Sequence, residues 1–234
     1  MKFPSISVGF AVYNEEETIK EVLEEAESIL SGSGLEYEIL ICNDGSTDRS
    51  KHIIEDMARK FSGLRVINHP RNLGIRATFE DLYRKSRKDA VFLNAADKQW
   101  NTAILLDMLP LLKKADIVIA SRRNKPYGIW RRVISWTFNF IPVLLFGVRT
   151  FDAGAVKLMR REIIERFQLV SKSPFSEAER LIRAARAGYR IVEYPVEVFA
   201  RTSGRSHAIK LNVLLTALAD LMRVWYVVYF GDKK

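Results

Sequence analysis

A chain of 234 residues with 48% hydrophobic side chains has the length for one large α/β domain with a well-buried core and a C-terminal extension. Its single cysteine, Cys42, lies in an apolar run and excludes an internal disulfide, which leaves a buried, inert thiol and no sign of an oxidising compartment. The net charge of +9 is unevenly divided: residues 1–60 hold 6 Lys+Arg against 13 Asp+Glu, leaving 31 against 15, so the charge runs from −7 to +16. Such a distribution suits anionic partners such as a diphosphate, a lipid phosphate or an anionic membrane surface, and with no recognised motif beside the basic residues nucleic acid is not an expected partner.

In chain order, Met1 to Pro4 leads straight into an alternating apolar segment without the basic region and long apolar stretch of a secretory signal, so a cytoplasmic site of action is expected. Ser5–Val12, Tyr37–Cys42, Leu64–Asn68, Ala90–Leu93 and Asp116–Ala120 read as strands. Between the first two, Ile19, Val22, Leu23, Ala26 and Leu30 recur at helical spacing opposite glutamates, with Asn14 placed to cap the helix. Alternation of this kind implies βαβ units, a largely parallel sheet, and ligands bound at the C-terminal strand ends.

Past Arg123 the composition changes. Tyr127–Val148 is rich in aromatic and aliphatic residues but interrupted by Arg131 and Arg132, and Leu211–Phe230 carries Asp220 and Arg223. Charges at such positions make membrane spanning costly. Amphipathic helices lying on a bilayer, with Trp130, Trp136, Trp225, Tyr226 and Tyr229 near the headgroups, are one reading, and helices packed in a core or dimer interface are the other.

Two polar motifs follow predicted strands. AVYNEEE spans residues 11–17 and CNDGSTD residues 42–48. Asp44 is a candidate acceptor for a base or ribose, while Gly45, Ser46 and Thr47 make a tight turn and cap the next helix. His52, His69 and His207 lack metal-ligand spacing and read as surface or helix-end residues.

With Tyr13–Glu15, Asn43–Asp48, Arg71–Gly74 and Ala95–Gln99 in this order, the chain resembles the family 2 glycosyltransferases, and within them the polyprenyl-phosphate (dolichyl-phosphate) mannose and glucose synthases. SRR at 121–123, Arg131–Arg132 with Asn139, KLMRRE at 157–162, RAGYRIVEYPV at 186–196 and RTSGRS at 201–206 extend the resemblance over nearly the whole chain. It implies a glycosyltransferase A-type, Rossmann-like α/β fold, mostly parallel and flanked by helices. Residues 1–206 would form the catalytic domain, with 127–148 as an amphipathic interface region, and 207–234 a C-terminal amphipathic helix. The donor nucleotide would be held by Ala11, Tyr13, Glu15, Asn43, Asp44, Asn72, Ala96, Asp97 and Gln99.

Three departures stand out. Ala11 replaces a proline, Asn43 the first acid of the DDGS loop, and Ala95 the first aspartate of the DxD loop. A methyl cannot ligate a metal, so a divalent ion, Mg or Mn, would rest on Asp97 and Gln99 with the donor's phosphates and water. Lys98 offers partial charge neutralisation or is a simple loop lysine. Arg201 and Arg205, with Asp97, are the candidate catalytic residues, and Arg122, Arg131, Ser203 and Arg205 the candidate acceptor-phosphate ligands, with Gly204 permitting close backbone approach. Glu179 is a candidate base or site-shaping residue, and Asp152 falls near a family aspartate.

The function so implied is inverting transfer of a hexose from a UDP-glucose- or GDP-mannose-type donor to a polyprenyl or dolichyl phosphate, by a protein peripherally associated with the cytoplasmic face of the cell membrane. Transfer to a hydroxyl of a lipid-linked glycan would need a base at Glu179. A non-catalytic sugar-nucleotide-binding membrane scaffold is the third reading, raised by Ala95 and opposed by the retained Asp97, Gln99 and RTSGRS.

Overall fold

The computed structural model describes residues 3–123, 140–197 and 211–231. Its centre is a seven-stranded sheet among the described residues: β1 (Ile6–Val12), β2 (Tyr37–Asn43), β3 (Leu64–Asn68), β4 (Ala90–Ala95), β5 (Ile117–Arg122), β6 (Lys157–Arg160) and β7 (Ile191–Val196), in the spatial order β3-β2-β1-β4-β6-β5-β7. β1 pairs in parallel with β2 and β4, β2 with β3, and β5 with β7, while β6 runs antiparallel to β4 and β5. Every residue of β1 is buried, as a central strand covered on both faces demands. The five predicted strands form within two residues of their expected ends.

Helices α1 (Ile19–Gly32), α2 (Ser50–Lys60), α3 (Ile75–Lys85) and α4 (Ile104–Met108) connect the first five strands. The apolar stripe predicted for α1 is the face it buries, with Ile19, Leu23, Ala26 and Leu30 fully enclosed. Asn14 does not cap this helix. Thr18 occupies the N-cap position, and Asn14 stands before it with φ 55°, a conformation asparagine tolerates better than most residues.

A second apolar core lies apart from the sheet. It is built by α5 (residues 140–146), α7 (Ser176–Arg186) and α8 (Leu211–Phe230), α6 (Arg161–Arg166) belonging to the sheet layer. Phe146, Phe175, Ile182, Leu221 and Val224 meet there. Of the two readings of the C-terminal helix, packing in a core holds for one of its faces. Ala217, Leu221 and Val224 are buried, whereas Leu215, Leu218, Met222, Tyr226 and Phe230, at helical spacing on the opposite side, are exposed. No helix among the described residues is long and apolar enough to cross a membrane.

Asp220, the charge that interrupts α8, is fully buried. Its Oδ2 accepts the backbone N–H groups of Lys172 (2.9 Å) and Ser173 (2.8 Å), and its Oδ1 pairs with Arg223 at 2.7 Å. Burial alone would raise its carboxyl pKa, but these donors together hold it below the usual range. Replacing Asp220 by alanine takes the acceptor from two backbone amides, that of Ser173 buried and that of Lys172 partly so, and a loss of about 3 kcal/mol of stability is expected, read as a lowered urea midpoint. An unchanged midpoint would mean that α8 docks through its apolar face alone.

Candidate active site

The chain runs outward from β1 through β2 to β3 and then returns to β4 on the other side of β1. This reversal makes a crevice at the C-terminal ends of β1 and β4, the usual ligand position in such sheets. The segments following β1, β2, β3 and β4 all emerge at this end, and they hold the predicted donor-site residues except Ala11 and Asn43, which lie in the last two residues of β1 and β2.

Side chains lock the first two of these segments together. The Asn14 N–H donates to Ser46 Oγ (3.1 Å) and the Thr47 N–H to Asn14 Oδ1 (2.8 Å). The Glu15 N–H donates to Ser50 Oγ (2.8 Å), the Glu16 N–H to Asp48 Oδ2 (3.1 Å) and the Arg49 N–H to Glu16 Oε2 (2.9 Å) across the same seam. Ser46 and Thr47 are therefore spent on the neighbouring loop and do not cap α2, whose first amide, that of Ser50, donates to Asp48 Oδ1 at 2.9 Å. Gly45 makes the expected tight turn at φ 66°. A Cβ there would lie 2.3 Å from the carbonyl carbon of Arg71, so only glycine lets the two loops touch.

Asp44 is buried and heavily engaged. Its Oδ1 accepts His69 Nδ1 (2.7 Å) and the Leu73 N–H (2.8 Å), and its Oδ2 accepts the Gly74 N–H (2.9 Å). Three of its roughly four acceptor positions are filled by the chain itself, so its first role is to fold the loop carrying Asn72. His69 is neither on the surface nor at a helix end. It is buried between Asp44 and Asp81, with Nε2 3.0 Å from Asp81 Oδ2. Burial opposes a charged ring, but hydrogen bonds to the two carboxylates outweigh it and raise the pKa. Cys42 lies beside the ring, its thiol pushed up to about 12 by burial and the nearby carboxylates, in keeping with an inert cysteine.

Asn43 donates its amide to Asn68 Oδ1 (3.0 Å) and accepts the Ser46 N–H (3.1 Å). Ala11 and Ala96 are buried, Ala96 donating its N–H to the Ala11 carbonyl at 3.4 Å, so both offer backbone only. Tyr13 and Asn72 are exposed at the rim, and Glu15 and Gln99 are half-buried.

The segment after β4 is well fixed. Thr18 Oγ1 donates to the Ala96 carbonyl (2.7 Å), Asn94 Nδ2 to the Trp100 carbonyl (3.2 Å), and the Gln99 N–H to Asp97 Oδ1 (3.2 Å). Lys98, at φ 57°, pairs with Glu21 of α1, which turns its ammonium toward the helix. Among the described residues no group of three or more His, Cys, Asp or Glu could hold a metal. One buried carboxylate with a neighbouring amide fits an ion held mainly by substrate phosphates and water, the coordination magnesium favours.

On the far side of Trp100, Arg122 forms a two-point pair with Asp152, both bonds 2.7 Å, and its guanidinium stands 6.0 Å from the Trp100 ring. Beside this pair is a cavity of about 280 Å³ lined by Arg122, Val143 of α5, Arg149, Thr150, Asp152 and Glu193, among others. Arg149 stacks 5.4 Å over Phe151, a residue at φ 53°, and the buried Thr150 hydroxyl has no partner among the described residues. Arg149 and Thr150 carry no sequence signal; only the fold of residues 147–152 brings them to Arg122. Arg131, Arg201, Ser203 and Arg205 lie outside the described residues. A larger cavity, about 910 Å³, opens at the opposite end of the strands near Phe3, Asp89 and Arg161, away from these loops.

Glu179 is fully buried on α7. Its carboxylate accepts the N–H groups of Val170 (3.0 Å) and Ser171 (2.8 Å) and meets Arg183 at 3.3 Å. It shapes the loop before α7, and its position gives no support to a base role.

Known proteins resemble the chain in both sequence and fold. The family model described as Glycosyl transferase family 2 matches residues 7–167. The undecaprenyl-phosphate 4-deoxy-4-formamido-L-arabinose transferase of Pseudomonas paraeruginosa is 30% identical over 164 residues, covering 68% of this chain and 48% of that protein, so the chain spans about half of that relative's length. The dolichyl-phosphate beta-glucosyltransferase of Trichomonas vaginalis is 26% identical, with 94% of this chain and 73% of that protein covered. Among solved structures, glucosyl-3-phosphoglycerate synthase from Mycobacterium tuberculosis, in complex with Mn2+, uridine-diphosphate and phosphoglyceric acid, aligns with a TM-score of 0.70 at 20% identity, covering 93% of this chain and 78% of that one. A mannosyltransferase from Pyrobaculum calidifontis with GDP-Man and Mn2+ aligns with a TM-score of 0.65 at 16% identity, covering 100% and 66%.

Proposed function

The chain belongs to glycosyl transferase family 2, and on that premise we propose that it moves one hexose, with inversion, from a nucleoside-diphosphate sugar to the phosphate of a polyprenyl chain at the cytoplasmic face of a membrane. The observation that carries the acceptor half is the cavity beside Arg122, Arg149 and Thr150. Its wall includes Val143 of α5, while Phe140 and Leu144 of the same helix are exposed. A phosphate held by those groups would have its lipid tail beside an apolar surface, to which the exposed face of α8 adds. The polyprenyl-phosphate relatives support the same acceptor.

In the reaction a phosphate oxygen of the acceptor bonds to the anomeric carbon as the bond from that carbon to the diphosphate breaks, giving a polyprenyl-phosphate hexose and a nucleoside diphosphate. The attacking oxygen is already anionic at neutral pH, so no base is required. Asp97 and Gln99 would hold the divalent ion, which supplies charge neutralisation on the departing diphosphate. The chain's own part is positioning: the Asp44 cradle fixes the Asn72 loop, Tyr13 and Glu15 flank the nucleoside, and Arg122 with Arg149 orients the acceptor, joined by Arg131, Arg201, Ser203 and Arg205. Transfer to a hydroxyl acceptor is less favoured, since the geometry commits Glu179 to backbone amides.

The test is incubation of purified protein with radiolabelled UDP-glucose or GDP-mannose, dolichyl phosphate and Mg2+ or Mn2+, followed by extraction of glycolipid. No glycolipid across a broad donor panel would defeat the proposal. In the same assay, Arg149→Ala is expected to raise KM for dolichyl phosphate about 10- to 100-fold with KM for the donor unchanged, the loss appropriate to one charge-assisted bond.

A further inference from the structure

Below the segment that follows β4 lies a much smaller cavity, about 50 Å³, lined among others by Tyr83 of α3, Asn94, Ala95, Trp100, Lys157 of β6 and Glu177 of α7. Glu177 is buried, and its two carboxylate oxygens differ. Oε2 receives Lys157 Nζ at 2.8 Å and the Tyr83 hydroxyl at 3.2 Å, while Oε1 has no partner. Burial would push this carboxyl pKa up, but Lys157 and Arg180 beside it hold it below its ordinary value. A buried carboxylate oxygen without a donor is costly, and the cavity lined by the Glu177 residue has room for one to come from outside the chain.

The position and size of the space point to what that donor is. Asn94 and Ala95 belong to the segment that leads into Asp97, on which the donor's diphosphate is proposed to rest, and the sugar is the next group along from the diphosphate. The space, about 50 Å³, is more than one water needs, too small for a hexose ring and suitable for one hydroxymethyl arm. Ala95 also gains a reason. An aspartate there, which the family resemblance leads one to expect, would narrow the space and set a second carboxylate beside that of Glu177.

We infer that this cavity receives the hydroxymethyl arm of the donor hexose, whose hydroxyl donates to Glu177 Oε1, so that Glu177 and the small residue at 95 select the donor sugar. The inference rests on the proposed transfer reaction. It is tested by kcat/KM for UDP-glucose against UDP-xylose, which lacks the arm, or GDP-mannose against GDP-rhamnose, which lacks its hydroxyl, whichever pair is active, together with calorimetric binding of UDP or GDP alone. Wild type is expected to prefer the hydroxymethyl donor by about a hundredfold. Glu177→Gln should bring the ratio to within about tenfold, and Ala95→Leu, which fills the space but leaves the Glu177–Lys157 pair intact, should reverse it, with nucleotide binding retained in both. Absence of nucleotide binding and of transfer in wild type would sink the reaction itself. Transfer with no preference for the hydroxymethyl donor, or a preference that survives both substitutions, would overturn the inference and leave the cavity to water. Should Glu177→Gln fail to fold, Ala95→Leu decides.

Discussion

Replacing Asp97 by asparagine is expected to lower sugar transfer by about a hundred- to a thousandfold, with the protein still folded and still binding nucleoside diphosphate in the absence of metal. The reason is arithmetic in charge. A departing nucleoside diphosphate gains negative charge as the glycosidic bond breaks, and among the described residues the only carboxylate in the segment after β4 is Asp97. Lys98, the nearest cation in sequence, is paired with Glu21 and turned toward α1. Asparagine keeps the size of the side chain and an oxygen for the Gln99 N–H, which isolates the loss of charge from a loss of loop structure. The measurement is kcat across a titration of Mg2+ and Mn2+. Rescue at high metal concentration would agree with a weakened ion site, whereas a kcat equal to wild type at every concentration would remove Asp97 from the chemistry.

Much of this architecture was legible from periodicity and turn residues. Strands β1 to β5 and the buried face of α1 follow from apolar runs and helical spacing, because burial of local apolar patterns decides both. β6 and β7 lack such a pattern. Lys157–Arg160 puts charged residues at both ends of four, and Lys157 is buried only because Glu177 and two backbone carbonyls receive its ammonium. β7 contains Pro195, tolerable because the strand lies at the sheet edge, a property set by topology rather than by its own sequence. The motif residues of the candidate site were visible, but their bonds were not. Asn14 and Asp44 take their partners from segments about thirty residues away, and Arg149 reaches Arg122 through a loop with no motif of its own.

The second large effect concerns Asp44 and His69. Asp44→Ala is expected to cost about 3–5 kcal/mol, a large share of the roughly 5–15 kcal/mol that holds a typical domain together, because it breaks a buried ion pair and leaves the Leu73 and Gly74 amides without acceptors. The effect should depend on pH with a definite sign. His69 is flanked by carboxylates at both ring nitrogens, so its pKa is raised in the folded state above the unfolded value near 6.5. A raised histidine pKa means that the folded state binds the extra proton more tightly, so its stabilisation is fully present below about pH 6.5 and is lost as pH rises through the folded value. His69→Asn should therefore destabilise most in mildly acidic solution, and its deficit against wild type should shrink toward alkaline pH, measured by urea unfolding at a series of pH values. Because the same carboxylate folds the Asn72 loop, donor affinity should weaken over the same window. A deficit that is constant with pH would show that the ring acts there by its shape and hydrogen bonds and not by its charge.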